Sequence, residues 1–407
     1  MQKHDASSLS LVNVLSSPEN IANPYPIYHQ LRSADPVLWD ERAGGWVVTR
    51  HAEIVSGLRD QRFSAEAFAM DESQFPEELQ PAIRALRRQM LFLDPPDHTR
   101  LRSLAAKAFT PRVVDAMRPR IRAVVDELLD AAQSKEQMDL ISEFAYPLPA
   151  IVIAEILGVP PEDRDQFTQW TGSFGTLLGG SNLTPEMVIQ ALQGVAEFIE
   201  YFRQIILQHR TTPKDDLMQA MIAAEEQGDR LTEEELLANC VLLLAAGHGT
   251  TTHLIGNGLL ALMHHPDQLQ ILKDDLAMMP NAVNELLRYD SPVQMTSRRA
   301  NQDLDLGNKR ISAGQEVLFC LGAANRDPAQ FSEPDQLDVL RQKNQHLAFG
   351  HGIHFCLGAP LARLEAEIAF STFVQRIPSF HLDQSVPLEW SQSLVFRGLR
   401  SLPIVLH

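Results

Sequence analysis

The segment from Thr232 to His265 limits the fold more than any other part of the chain. It opens on Thr232-Glu-Glu-Glu235, continues through Cys240-Val-Leu-Leu-Leu-Ala-Ala, and stops before Pro266. Thr232 with Glu235 three residues on is a capping-box pattern, and the proline marks the exit. At 1.5 Å per residue such a helix spans about 50 Å. A helix that is apolar on nearly every side over that length has to be surrounded, so the rest of the chain must wrap it in a large body. In its middle stands Gly247-His-Gly-Thr-Thr-Thr252, where the two glycines cost roughly 1 kcal/mol each relative to alanine.

The flanking text fits that body. From Glu77 to about Ala277, Leu, Ile, Val and Ala recur at three- and four-residue intervals, with prolines at the breaks, which predicts helices. Earlier, Pro26 to Ser33 reads as a helix, and Pro36-Val-Leu-Trp with Gly45-Trp-Val-Val-Thr reads as a hairpin. Beyond Asp290-Ser-Pro292 come short β runs at Leu304–Leu306, Arg310-Ile and Glu316–Cys320, then an irregular Pro/Asp/Asn-rich stretch from Asn325 to Asn344. The expected fold is mainly α with small β-sheets in one large domain over 1–407. A β-rich part covers about 25–65, a helical body about 77–290, and β segments with a cysteine loop about 291–407. There is no internal repeat, low-complexity segment or interdomain linker.

With 44% hydrophobic residues the chain can bury a substantial core. Its 35 basic against 52 acidic side chains give a net charge of −17, which disfavours non-specific binding to nucleic acid or to an anionic membrane. Met1 to Asn20 lacks a basic segment followed by an apolar one, and no window approaches 18 apolar residues. The expectation is a cytoplasmic protein without a membrane anchor.

Three cysteines at wide spacing, Cys240, Cys320 and Cys356, do not form a disulfide framework or a paired zinc motif. Cys240 and Cys320 lie in apolar runs and read as core side chains. Cys356 sits in Phe349-Gly-His-Gly-Ile-His-Phe-Cys-Leu-Gly-Ala-Pro360, just ahead of the helical Leu361-Ala-Arg-Leu-Glu-Ala-Glu. There the helix dipole and loop N–H groups favour a thiolate, and glycines let a flat ligand approach the backbone. A thiolate ligand to heme iron needs that setting. On these residues alone a buried turn cysteine is an equal reading, and His351, His354 and Cys356 raise zinc, although no second Cys/His cluster follows.

The run Phe349-Gly-x-Gly-x-His354-x-Cys356-x-Gly358-x-x-Leu-Ala-Arg363 closely resembles the heme-binding signature of the cytochrome P450 family. Three further regions agree in order and spacing, so the resemblance covers nearly the whole chain. Glu285-Leu-Leu-Arg288 and Phe331-x-x-Pro334-Asp-x-x-Asp338-x-x-Arg341 resemble the family's buried charged triad, which implies a structural role for Glu285, Arg288 and Arg341 behind the cysteine loop. From spacing alone Glu285 and Arg288 would be a surface pair. His98, Arg102, Arg298 and His354 fall where the family binds the heme propionates, whereas Arg100 and Arg299 read as solvated charge. Ala246-Gly247-His248-Gly249-Thr250-Thr251 resembles the oxygen-binding groove of the long central helix. The resemblance places Gly247 against the heme and assigns Thr250 to proton delivery.

It implies the P450 fold, heme b with Cys356 as axial ligand, and a monooxygenase that hydroxylates or epoxidises a lipophilic small molecule such as a polyketide, terpenoid, steroid or fatty acid. Dioxygen is the co-substrate. Electrons are expected from a separate ferredoxin or flavodoxin with its NAD(P)H-dependent reductase, because the chain has no GxGxxG opening a helix. Arg100, Arg112 and Lys343 are candidates for a basic docking patch on an otherwise acidic chain. Position relative to Arg288 and Arg298 makes Val293 and Met295 pocket candidates, with Val395 from the C-terminal segment. One departure stands out. The family usually carries Glu or Asp where this chain has Gly249, so protons must arrive by a water chain, the favoured reading, by another residue such as His248 or His253, or through a polar group on the substrate. The same glycine keeps open a peroxide-using peroxygenase, and a heme-binding sensor or carrier without turnover.

Overall fold

The computed structural model describes residues 9–406 apart from 67–70, 133–134, 161–162, 180–182, 215–216 and 227–230. Residues 1–8 of the stretch read for a leader lie outside the described residues.

The apolar segment forms one helix, Glu233–His264. Its capping box is made at both ends: Glu235 N donates to Thr232 Oγ1 at 3.2 Å, and Thr232 N donates to Glu235 Oε2 at 2.9 Å. Pro266 starts the next helix, Pro266–Asp274. Neighbours pack round the central helix as its apolar surface requires, among them Pro147–Ile156, Pro185–Thr211, Met279–Tyr289 and Ala359–Arg376. The approach is close enough to dictate sequence. A Cβ on Gly256 would lie 2.5 Å from the Ile141 side chain, and one on Gly258 2.5 Å from the Phe370 ring. Each fully buried leucine or phenylalanine of this core, such as Leu259 and Phe370, contributes about 1.5–3 kcal/mol relative to exposure. Cys240 is wholly buried in the same core, and Cys320 is buried under the sheet, both as small apolar side chains.

The expected hairpin is present, with Val37–Asp40 antiparallel to Gly45–Val48 and Trp39 opposite Trp46. It is the edge of a five-stranded sheet completed by residues far along the chain. Gly45–Val48 runs parallel to Glu316–Phe319, which pairs antiparallel with Thr296–Ala300, and that strand pairs with Phe63–Ser64. Leu304–Leu306 and Lys309–Ile311 form a small hairpin. The C-terminal strand Pro403–Leu406 lies between Gln137–Asp139 and Phe380–Leu382. Residues 325–344 take neither helix nor strand. Among the described residues no helix is long and apolar enough to cross a membrane.

Candidate active site at the cysteine loop

The loop carrying Cys356 is closed on itself by Cys356 N donating to Phe349 O at 2.9 Å and Gly350 N donating to Leu347 O at 2.8 Å. Gly350 and Gly352 have φ of +70° and +74°, which a side chain would strain. At Gly352 a Cβ would also lie 2.2 Å from the Leu58 carbonyl, so the helix His51–Arg59 buttresses the loop. Helix Ala359–Arg376 follows with Pro360 in its first turn. The backbone N–H groups of Gly358 and Ala359, with Arg102 and Arg363, favour the Cys356 thiolate, but burial outweighs them and pushes the thiol up. The helix end and loop amides therefore supply the expected donors without ionising the sulfur unaided. A metal ion that binds a thiol deprotonates it outright.

Behind the loop, Glu285 and Arg288 are fully buried, unlike a surface pair at that spacing. All the Arg288 N–H groups have acceptors. Nε and Nη2 fork onto Glu285 at 2.8 and 2.7 Å, Nη2 also reaches Gln336 O, and Nη1 reaches the carbonyls of Asn325 and Pro334. Glu285 further accepts from Arg341 Nε at 3.1 Å, Asp338 N and Asn344 Nδ2. The irregular 325–344 stretch is thus fastened to Met279–Tyr289 by one carboxylate. Asn325 passes the constraint on, since its Oδ1 accepts from Leu347 N at the entrance of the cysteine loop.

His346 adds a pH-sensitive fastening. Its Nδ1 accepts from Ala348 N, so Nε2 carries the proton and donates to Asn284 Oδ1 at 3.3 Å, the oxygen that also accepts from Arg363 Nε. Burial, then Arg363 and Arg288, lower the imidazole to about 3. Between that value and the ordinary one near 6.5 the unfolded chain takes up a proton that the fold refuses, so stability is present above about pH 6.5 and drains away as pH falls. The slope is at most about 1.4 kcal/mol per pH unit, and less because the residue keeps an accessible edge. Acid denaturation of His346→Gln should show a shallower loss between pH 6 and 4 than the parent, and an equal slope would count against the assignment.

Four cationic or donor side chains converge beside the loop. His98 and Arg102 stand one turn apart on helix Asp97–Ala105, and Arg298 lies on strand Thr296–Ala300. The rings of His98 and His354 are 4.2 Å apart. Among the described residues His98 Nδ1 and His354 Nε2 are buried without a partner. Arg298 donates, among the described residues, to Thr296 Oγ1 and the Ser297 carbonyl, and Arg102 to the Phe355 carbonyl. Among the described residues neither arginine has an ion-pair partner. Burial, then Arg298, His98 and Arg102, depress His354 to about 3, and burial lowers Arg298 to about 10 against the pull of Asp94. A dianionic edge would satisfy these orphaned donors and the surplus of positive charge together. The residues present therefore fit a flat group that carries an iron for Cys356 and two carboxylates for this cluster.

The central helix supplies an accessible stripe. Ala246 is exposed and Gly249, Thr250 and His253 are partly so, at the spacing of one helix face, between the buried His248, Thr251 and Thr252. Thr250 Oγ1 donates to Ala246 O at 2.9 Å, leaving its lone pairs on the open side. Gly247 has a different reason for being small from the expected one. A Cβ there would meet the Ile153 side chain at 3.2 Å, so helix packing sets it, whereas at Gly249 a Cβ would meet nothing within 4 Å.

Several expectations need correction. Alternation along Thr296–Ala300 puts Thr296 and Arg298 on one face and turns Met295 away. It is buried with Leu11, Val47 and Cys320, and Val395 packs at the rim of the same cluster. Val293 is partly accessible and bridges to Phe396, whose ring fills the space beside Gly179. Thr296 is the site-side residue that the sequence reading missed, although strand parity with Arg298 would have identified it. Arg100 and Arg299 are paired rather than free, Arg100 with Glu235 and Asp97 and Arg299 with Glu316. That removes Arg100 from the docking patch. His351 is turned to Arg59, so His351, His354 and Cys356 do not converge on a zinc position. Glu365, missed altogether, is buried in helix Ala359–Arg376, and burial raises its carboxyl to about 8.

The sequence profile described as Cytochrome P450 matches residues 59–390. Cytochrome P450 CYP107DY1 of Priestia megaterium is 42% identical, over 97% of this chain and 98% of that protein. A vitamin D(3) 25-hydroxylase of Pseudonocardia autotrophica is 40% identical over 94% of each. Among solved structures, P450BioI in complex with a hexadec-9Z-enoic acid-ligated acyl carrier protein superimposes with a TM-score of 0.90 at 39% identity, covering 96% of this chain and 100% of that one.

Proposed function

The chain belongs to the cytochrome P450 family, which makes it a heme b monooxygenase, and from that premise we propose that it inserts one atom of dioxygen into a C–H or C=C bond of a lipophilic small molecule. The observation that carries this reading is the pairing of a loop cysteine, backed by two amide donors, with two orphaned histidine nitrogens, His98 Nδ1 and His354 Nε2, and two arginines, Arg102 and Arg298, that have no ion-pair partner among the described residues. Residues 1–407 act as one cytoplasmic heme domain, with a small β part at 25–65, a helical body at 77–290 and the cysteine loop within 291–407. The substrate class is a polyketide, terpenoid, steroid or fatty acid. Names among the relatives, a vitamin D(3) hydroxylase and a P450 bound to a fatty acyl carrier protein, support that range.

When bound, heme supplies the activation of dioxygen at its iron. Cys356 Sγ would hold the iron, with the Gly358 and Ala359 amides stabilising its charge. His98, Arg102, Arg298 and His354 would hold the propionates. Glu285, Arg288 and Arg341 keep the loop in place. Thr250 commits its hydroxyl hydrogen to Ala246 O, so its oxygen holds a water by accepting from it, and the open space at Gly249 has room for a second. Val293, with Thr296 and Phe396 beside it, lines the substrate side.

Electrons come from a separate ferredoxin or flavodoxin with an NAD(P)H-dependent reductase, docking on the cysteine side, where Arg112 and Lys343 remain exposed. Gly249 favours one second reading, a peroxygenase driven by hydrogen peroxide. Turnover with a reconstituted electron-transfer chain against turnover with peroxide separates the two, and faster turnover with peroxide alone would select the second. Thr250→Ala should lower coupled product formation by up to roughly a hundredfold, the weak end of proton-transfer effects because water persists. Hydrogen peroxide released per NADH should rise accordingly, and unchanged coupling would remove Thr250 from the relay.

A further inference from the structure

Three polar residues lie one turn apart along the central helix: Thr250, His253 and Asn257. The last two are unsatisfied. The buried Nδ1 of His253 has no partner, and its ring occupies the space of the absent side chain at Gly398, where a Cβ would lie 1.8 Å from Nδ1. Asn257 donates Nδ2 to Arg397 O at 3.0 Å, yet its Oδ1 is buried without a partner. Asn257 also lines an open cleft of about 550 Å³, together with His264, His265, Tyr289, Asp290 and Arg397. Side chains on a helix lean toward its N-terminus, so Asn257 leans over the His253 turn, and His253 over the turn holding Gly249 and Thr250.

We propose that His253 and Asn257 form a proton path along the central helix, from the open cleft to the water held beside Thr250. The proposal rests on the monooxygenase reading above and says how protons arrive when position 249 has no carboxylate. The file from 250 to 257 is about 10 Å long. Its chemistry balances without a co-reactant. A neutral imidazole accepts a proton from water at one nitrogen and releases the proton on the other, ending neutral as the second tautomer. Asn257 transfers nothing and positions the water that feeds the ring. Burial lowers His253 to about 4, so at neutral pH it passes protons without storing charge. His248 is excluded because both its nitrogens are engaged, Nε2 with the Tyr146 carbonyl at 3.2 Å and Nδ1 with Thr171 Oγ1 at 3.4 Å.

Two measurements on the holoenzyme test the path. A crystal structure with substrate bound should show an ordered water in the space at Gly249, within hydrogen-bond distance of Thr250 Oγ1 and a His253 ring nitrogen. His253→Phe should divert severalfold more reducing equivalents to hydrogen peroxide, with the substrate-induced spin shift unchanged. His253→Asn, which keeps hydrogen bonds but cannot exchange ring protons, should show the same loss if the phenylalanine variant does not fold. Absence of the bridging water, or full coupling in either variant, overturns the proposal. A protein lacking the heme-thiolate spectrum would instead remove the monooxygenase reading beneath it.

Discussion

Arg288→Ala should destabilise the fold by about 3–5 kcal/mol, the cost of leaving a buried charge without its partner. Glu285 would keep Arg341 at 3.1 Å but lose the forked pair, and the carbonyls of Asn325 and Pro334 would lose Arg288 as donor, while Gln336 O would keep Arg341 Nη2 at 3.4 Å. Arg288→Lys should recover little. An ammonium is a compact charge with three donors and cannot reproduce a planar fork that serves Glu285 and three carbonyls together. Because Asn325 also fixes Leu347, the damage should reach the cysteine loop, and heme retention should fall with stability. Denaturant midpoints and heme content of the two variants measure both. A loss below about 1 kcal/mol, the range of exposed pairs, would mean that the triad does not brace the loop.

Cys356→Ser should abolish heme-thiolate chemistry while leaving the polypeptide fold nearly intact. The hydroxyl fits the same volume and still accepts from the Gly358 and Ala359 amides, so the loop closed by Phe349 O and Leu347 O has no reason to open. What changes is the donor atom, because a neutral hydroxyl does not match a thiolate as a ligand to iron. Oxidation activity should fall by more than the roughly 10–100-fold that outer-shell changes around metals cost. Circular dichroism and product assays on one preparation separate fold from chemistry. Retained turnover would show that another atom holds the iron.

Local patterns with a physical cause were legible in the sequence. The capping box at Thr232 and the proline at 266 bound the central helix, because backbone donors must be satisfied wherever they lie in the chain. The hairpin at Trp39 and Trp46 and the short strands at Leu304 and Glu316 follow from alternation and turn residues. Long-range pairing was hidden. Nothing in Gly45–Val48 names Glu316–Phe319 as its parallel neighbour, since either strand offers the same backbone groups to any partner. The burial of Glu285 and Arg288 came from resemblance rather than pattern, because an i,i+3 pair looks the same exposed or enclosed. Met295 was misplaced because the reading counted residues from Arg298 and ignored strand parity, which sends 295 to the opposite face. Gly247 and Gly249 read alike in sequence but differ in space, one set against Ile153 and the other open.

The central claim is that the Cys356 sulfur, as a thiolate, holds the heme iron. The absorption spectrum of the reduced protein under carbon monoxide tests it most directly. A thiolate ligand should give the red-shifted Soret band from which the family takes its name, with little of the unshifted form. A native, freshly reduced protein showing only the unshifted band, as a histidine or neutral-oxygen ligand would give, would contradict the account.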